Sequence, residues 1–338
     1  MNFYFILTKI YLVLGACGSR VYAPFRGCEL EPRLLKPMFD LGQLGLMPFS
    51  PRDEESIKES IAHSDIVINL IGKHYETKHI VPTRRADGTL SRVNYDFNEV
   101  HNTIPRTLAR LAKEAGVQSF IHVSALSADV DSLSKWSQTK AKGETAVKEE
   151  FPGAIIVKPA TVFGAEDRFL NWIAEASTQL PVFPLINNGS ALVQPVYAVD
   201  VGKALMNIVY RHDEFRGKTF QLAGPAEYSY KEVVEFVADV TTNRPPMVDI
   251  PLSLANFTGR LLEQTINPFL TPDMIAQMQE DVVEVPNSDM LTMKDLDIVP
   301  QSMDKVAFDY LHRFRPGGHF TKVEGYYGKK VEKAIKGY

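Results

Sequence analysis

The sequence predicts an α/β fold: a doubly wound parallel sheet followed by a small, mostly helical C-terminal lobe. Three observations point there. Short apolar runs rich in β-branched and aromatic residues alternate with longer segments of helical period, the pattern of βαβ units. One run, Ile66-Val67-Ile68-Asn69-Leu70-Ile71, is almost continuously apolar, as a strand buried on both faces requires. From Arg244 onward, prolines recur at 245, 246, 251, 268, 272, 286 and 300, which breaks the chain into short helices. These features divide the 338 residues into a sheet domain over 1–243 and a lobe with a tail over 244–338.

The elements follow in order. Ser19 to Pro24 reads as a strand, and Leu44 to Ser50 as a second extended piece closed by Pro48 and Phe49. Asp53 to His63 is helical, with Asp53 placed to cap it. The run from Ile66 to Ile71 is the next strand. Asn94 to Ala115 is a long helix carrying Val100, Ile104, Leu108 and Leu111 at helical spacing, ended by Gly116. Pro105 lies inside it and predicts a kink, because it lacks the N–H of an interior helical position. Val117 to Val123 is a strand, Lys140 to Glu150 a helix and Ala154 to Lys158 a strand. Beyond Gly164, Arg168 to Thr178, Asp200 to Tyr210 and Ser229 to Thr242 read as helices, and Thr219 to Ala223 as a strand. A tail rich in Gly and Lys follows Gly317, and no internal repeat is present.

Composition narrows the function class. A hydrophobic share of 45% and a charged share of 23% suit a soluble globular protein. A net charge of −4, without a dense basic tract, argues against a nucleic-acid partner. Cys17 and Cys28 have neither the number for a disulfide scaffold nor the spacing of a metal site, so no metal is expected. No stretch reaches the roughly 20 apolar residues needed to cross a bilayer. Met1 to Gly18 comes nearest to a signal, and Leu14-Gly15-Ala16-Cys17 faintly resembles a lipoprotein cleavage box. Lys9 splits that apolar region in two, and no basic stretch precedes it.

In a doubly wound sheet, ligands lie outside the carboxyl ends of the strands. Ser19 to Arg26, Asn69 to Gly72, Ser124 and Pro159 to Gly164 are therefore expected around one crevice. Arg26 stands just past the second strand of such a domain. Its planar fork suits a ribose 2′-phosphate, which favours NADP(H) over NAD(H); the alternative is a solvated surface arginine. Gly72 permits close backbone approach at the end of its strand, or simply ends it in a turn.

Ser124 closes the run Phe120-Ile121-His122-Val123, and twelve residues later the chain reads Trp136-Ser137-Gln138-Thr139-Lys140. A strand-ending serine, then an aromatic four residues before a lysine, resembles the active site of the short-chain dehydrogenase/reductase (SDR) superfamily. In that family the aromatic is a tyrosine whose phenol moves the proton. Here it is Trp136, and an indole N–H has no pKa that can be tuned toward neutral pH. The catalytic set is therefore empty. Lys140 still reaches the ribose hydroxyls.

Longer stretches carry a narrower resemblance. Asp40-Leu-Gly-Gln-Leu44, Ser64 to Lys78, Glu114 to Ser124, Ile155 to Asn171 and Gln194 to Asp200 are similar to an atypical SDR family, the nucleotide-binding accessory subunits of mitochondrial respiratory complex I. The likeness spans roughly residues 19 to 310. It implies a Rossmann-type domain of the extended SDR kind and NADPH held as a structural cofactor. It also implies partners among the complex I subunits, a place on the matrix side of the inner membrane, and a role in assembly without turnover. Residue by residue, it assigns Arg26 to the 2′-phosphate and Asn69, Leu70, Ile71 and Gly72 to the adenine-side wall. Ser124 and Lys140 fall on the ribose side, and Pro159 on the nicotinamide side. Two other functions stay open: an active NADP-dependent reductase or epimerase, and an NADP(H)-sensing regulator.

One feature of the family is missing. A Rossmann site needs a glycine loop between the first strand and first helix, so that phosphates meet the helix N-terminus. That loop falls at Phe3 to Lys9, which holds no glycine, whereas Gly15 and Gly18 directly precede the strand at Ser19. Either the first strand and loop are degenerate or Met1 is not the natural start.

Overall fold

The computed structural model describes residues 14, 17–27, 31–62, 64–76, 81–84, 90–93, 95–265, 268–285 and 289–316. The readings made for Phe3 to Lys9, Gly15, Cys28 and the tail after 317 fall outside them.

The chain opens with two parallel strands, β1 (Val21–Phe25) and β2 (Leu44–Pro48), paired with Val21 opposite Leu44. Gly18 precedes them at φ 75°, and the Ser19 N–H bonds the Leu14 carbonyl. That six-residue closure around a left-handed glycine is how helices commonly end. Helix α1 (Glu54–Ile61) begins at Asp53, whose carboxylate accepts the Glu55 N–H. Then come β3 (Ile66–Asn69) and a hairpin of β4 (Val81–Arg84) with β5 (Leu90–Val93). A π-helical turn over Glu99–Thr103 leads into α2 (Ile104–Glu114). β6 (Ser119–Val123), α3 (Lys135–Glu150) and β7 (Ile155–Pro159) follow. The chain continues through β8 (Val162–Phe163), α4 (Leu170–Gln179), β9 (Phe183–Ile186), β10 (Leu192–Val193) and β11 (Val196–Tyr197) into α5 (Ala198–Tyr210). β12 (Thr219–Leu222), β13 (Tyr228–Ser229), α6 (Tyr230–Thr241) and β14 (Met247–Ile250) precede the last helices. These are α7 (Leu252–Leu262), α8 (Pro272–Gln277), α9 (Met303–Val306) and α10 (Phe308–Leu311).

The central sheet has the order β12-β7-β6-β3, all parallel. Side chains alternate across it with the two-residue period of a strand. Phe120 and Ile156 enter one core with Ile57 of α1, Leu108 and Leu111 of α2 and Val147 of α3. Ile121, Ile155 and Val157 enter the opposite core with Val201, Leu205 and Ile208 of α5. Helices thus cover both faces, which is the doubly wound arrangement the sequence predicts. The run at 66–71 forms a strand only to Asn69, and Ile66, Val67 and Ile68 are half-buried rather than buried. Among the described residues β3 has a paired strand on one side only, so its apolar residues gain less cover.

A third core joins Phe163, α4, Phe183 and α6 to Met303 and Leu311. It draws on both sides of residue 243, and β14 pairs in parallel with β9 across that position.

The long helix predicted from Asn94 is interrupted where Pro105 demands it. Pro105 lacks the N–H that would reach the His101 carbonyl, and its ring would collide with that oxygen in a regular helix. The π turn widens the backbone instead, with the Ile104 N–H reaching Glu99 O. The His101 carbonyl then faces α3 at Gly143, where a Cβ would lie 1.9 Å from the oxygen. Replacing glycine by alanine usually stabilises a helix interior. Here Gly143→Ala must push two packed helices apart, and thermal unfolding should record a loss of about 1–3 kcal/mol. A raised Tm would remove Gly143 from this role.

Candidate functional site

Asn69, Ser124 and Pro159 stand at the carboxyl ends of β3, β6 and β7, and the first turns of α3 carry Trp136 and Lys140. Helix α3 starts five residues earlier than its apolar pattern suggests, at Lys135 behind the N-cap Ser134. Trp136 and Lys140 therefore lie one turn apart on one helix face. The Lys140 ammonium sits 5.6 Å from the Trp136 ring centroid.

Trp136 is committed to a structural bond. Its indole Nε1–H donates to the Lys73 carbonyl at 2.6 Å. The N–H of the same residue, Lys73, reaches His101 Nε2 at 3.1 Å. Thr139 Oγ1 donates to the Trp136 carbonyl and so accepts from His101 Nδ1 at 3.0 Å. That leaves Nε2 free to accept, as a neutral imidazole would. Burial, with help from Lys140, holds His101 neutral by lowering its pKa to about 2. The indole edge meets the His101 ring at 5.9 Å between centroids. The loop after β3 is thus gripped on both sides of Lys73. Its Nζ adds a bond to the Tyr95 carbonyl.

Asn69 spends its side chain locally. Its Oδ1 accepts the Ile71 N–H, and its Nδ2 donates to His122 Nδ1 at 3.0 Å. His122 therefore carries its hydrogen on Nε2, a buried donor with no hydrogen-bond partner among the described residues. Burial, with a smaller contribution from the Lys140 charge, lowers the His122 pKa to about 3. Leu70 packs against the α5-side core and Ile71 against the opposite one. Gly72 does not use the left-handed region.

Ser124 is buried and donates its hydroxyl to Glu144, one turn beyond Lys140 on α3. Glu144 also pairs with Lys158 at 3.3 Å, both side chains being nearly covered. Lys140 is 7% exposed, and its Nζ reaches the Val123 carbonyl at 3.5 Å, the long limit of a hydrogen bond. Burial pulls its pKa down to about 8, against the upward pull of Glu144. Pro159 is buried at the end of β7 opposite Leu222, where its carbonyl accepts the Leu126 N–H.

Arg26 lies apart from this group, exposed beyond β1, with its guanidinium 5.0 Å from the Tyr95 ring centroid. Among the described residues it has no ion pair. Arg52 approaches the same ring at 4.4 Å and also grips Glu99 with Nε and Nη2. Sequence reasoning missed His101, Arg52, Glu144 and Lys158. Only Glu144 carried a local signal, its placement four residues after Lys140. No metal-holding cluster of His, Cys, Asp or Glu is present among the described residues. Burial raises the phenol pKa at Tyr197, Tyr228, Tyr230 and Tyr310.

A doubly wound parallel sheet with a buried serine and lysine at its carboxyl end defines a fold of the SDR type. The structure of a Citrobacter triphenylmethane reductase complexed with NADP(H) superposes at a TM-score of 0.66. That likeness covers 90% of this chain and 95% of the reductase at 15% identity. No protein-family model matches. The mitochondrial NADH dehydrogenase (ubiquinone) 1 alpha subcomplex subunit 9 of Arabidopsis thaliana is 37% identical over 320 residues, 91% of this chain and 75% of the relative. Its Mus musculus counterpart is 36% identical over 304 residues, 89% of this chain and 76% of the relative. The chain belongs to the family of these alpha subcomplex subunit 9 proteins.

Burying Lys140 has a measurable cost. Its proton is held less tightly in the folded chain than in the unfolded one, so below pH 8 the buried charge destabilises. As pH rises from about 8 toward the ordinary lysine value near 10.4, the folded state sheds its proton first and stability is regained. Lys140→Met should therefore raise stability at pH 7 by on the order of 2 kcal/mol. That advantage should shrink between pH 8 and 10 in denaturant titrations. A difference that stays constant across this window would exclude a buried charge as its cause.

Proposed function

We propose that this chain is a non-catalytic accessory subunit of mitochondrial respiratory complex I that holds NADPH structurally and supports assembly and stability of the enzyme. Membership in the subunit 9 family supports the partner and the compartment. The observation that carries the absence of chemistry is the Trp136 bond: the side chain at the proton-donor position has no labile proton and spends its N–H on Lys73 O. Among the described residues no helix is long and apolar enough to cross a membrane. A peripheral position on the matrix side of the inner membrane agrees with that.

The residues fit a dinucleotide in three respects. An ammonium has three donors, and Lys140 uses one weakly on Val123 O, leaving others for ribose hydroxyls. His122 Nε2–H is a buried donor in need of an acceptor. Arg26 offers its fork to a 2′-phosphate while stacked on Tyr95. In this reading Ser124 and Lys140 face the ribose, Asn69 to Gly72 form the adenine-side wall, and Pro159 lines the nicotinamide side. The glycine-loop position at Phe3 to Lys9 lies outside the described residues. NADPH would bring negative charge and buried surface to the site, and its hydride would have no acid–base partner there.

Purified chain should bind NADPH and leave it unoxidised against a panel of carbonyl compounds; steady oxidation would overturn the reading. Arg26→Ala should weaken NADPH by about 1.5–3 kcal/mol, roughly 10- to 150-fold, with little change for NADH. Equal losses for both nucleotides in a fluorescence titration would remove Arg26 from the 2′-phosphate.

A further inference from the structure

The amide groups that open α3 receive their acceptors from the far end of the chain. Asp273, in the first turn of α8, accepts the Lys135 N–H at 2.7 Å and the Ser134 hydroxyl at 3.1 Å. It also lies 3.4 Å from the Trp136 N–H. Glu280 accepts the Ser132 hydroxyl at 2.8 Å and the Leu133 N–H at 2.5 Å. Both carboxylates are anchored from their own side. Gln277 donates to Asp273 at 3.1 Å, and Thr271 caps α8. Two residues after Glu280, the Val282 N–H bonds Leu192 O and its carbonyl accepts the Gln194 N–H. A third carboxylate, Glu76, binds Lys135 at 2.8 Å and the Phe97 N–H at 2.9 Å.

Free N–H groups at the start of a 16-residue helix attract negative charge, through both hydrogen bonding and the helix dipole. In this chain those donors stand one residue from the silent Trp136 and four or five from Lys140. Donors of this kind suit an anionic or carbonyl-bearing group. Here they are already saturated by side chains of the C-terminal lobe. A cleft of about 500 Å³ is bounded by these contacts, with Leu133, Lys135 and Asp273 in its lining beside Phe97 and Arg260.

We propose that Asp273 and Glu280 form an intramolecular latch that fastens the C-terminal lobe over the start of α3 and closes the substrate side of the crevice. The chain is then silenced twice, in its chemistry by Trp136 and in its access by two of its own carboxylates. This deepens the reading of the crevice proposed above and rests on it. Restoring a tyrosine at position 136 would leave the entrance closed.

The sequence contains two tryptophans, so Trp172→Phe leaves Trp136 as the reporter beside the latch. In that background, Asp273→Asn with Glu280→Gln should raise acrylamide quenching of Trp136 at least threefold. Amide exchange at Leu133 and Lys135, followed by mass spectrometry in the Trp172 chain, should accelerate at least tenfold. Glu280→Gln alone, which leaves the Asp273 cap intact, should reproduce the faster exchange at Leu133 and so guards against loss of folding in the double variant. Unchanged quenching and unchanged exchange would overturn the latch. So would faster exchange spread evenly over the sheet, which would mark general destabilisation.

Discussion

The carbonyl oxygen of His101 sets the spacing on which the rest of the site is built. Pro105 denies it a helical donor, and Gly143 lets α3 come against it without a side chain between. Because the two helices meet there, the His101 ring points between α3 and the loop after β3. From that position it binds Thr139 on one side and Lys73 on the other. Trp136 completes the grip on Lys73, and Lys140, one turn on, is pressed into the interior beneath the indole. A proline and a glycine with no chemistry of their own thus determine where Trp136 and Lys140 stand.

The site separates two properties that an active reductase of this fold would combine. Groups with charge and donors are present: a lysine with unused hydrogens, an arginine on a tyrosine ring, and a serine tied to Glu144. At the position where the proposed reading looks for a proton-moving group stands Trp136, its N–H spent on Lys73 O. Replacing a phenol by an indole exchanges a titratable hydroxyl for a fixed donor that keeps the same bond at any ordinary pH. Such a donor suits a site whose task is to hold a shape.

The sheet was legible in the sequence because its strands alternate between two apolar cores, and burial on both faces leaves an unbroken run of large side chains. The cap at Asp53 was legible for a local reason, an acid directly before an apolar period. The start of α3 was not. Trp136-Ser137-Gln138-Thr139 breaks the apolar period, and much of the stabilisation of that end comes from residues 273 and 280. Two-residue strands such as β8 and β11 are too short to show a period. The pairing of β9 with β14 joins segments some 60 residues apart, with no shared local signal. Ser124 and Lys140 could be placed near the carboxyl end of β6 from their order along the chain, whereas Arg26 lies apart from them. His101 could not, since its role depends on a turn of helix that Pro105 distorts.

The distant origin of the groups that satisfy the start of α3 bears on how the chain folds. Lys135 waits for an acceptor 138 positions later, and Leu133 for one 147 positions later. On a ribosome, the strands and helices up to β7 emerge long before either carboxylate exists. Contacts between segments so far apart close late and slowly, because a long loop must be ordered before they form. The first half of the molecule can collapse during synthesis with the entrance to its crevice still exposed to water. The last step of maturation would then be the arrival of the C-terminal lobe, which makes the completed chain a different object from its nascent front half.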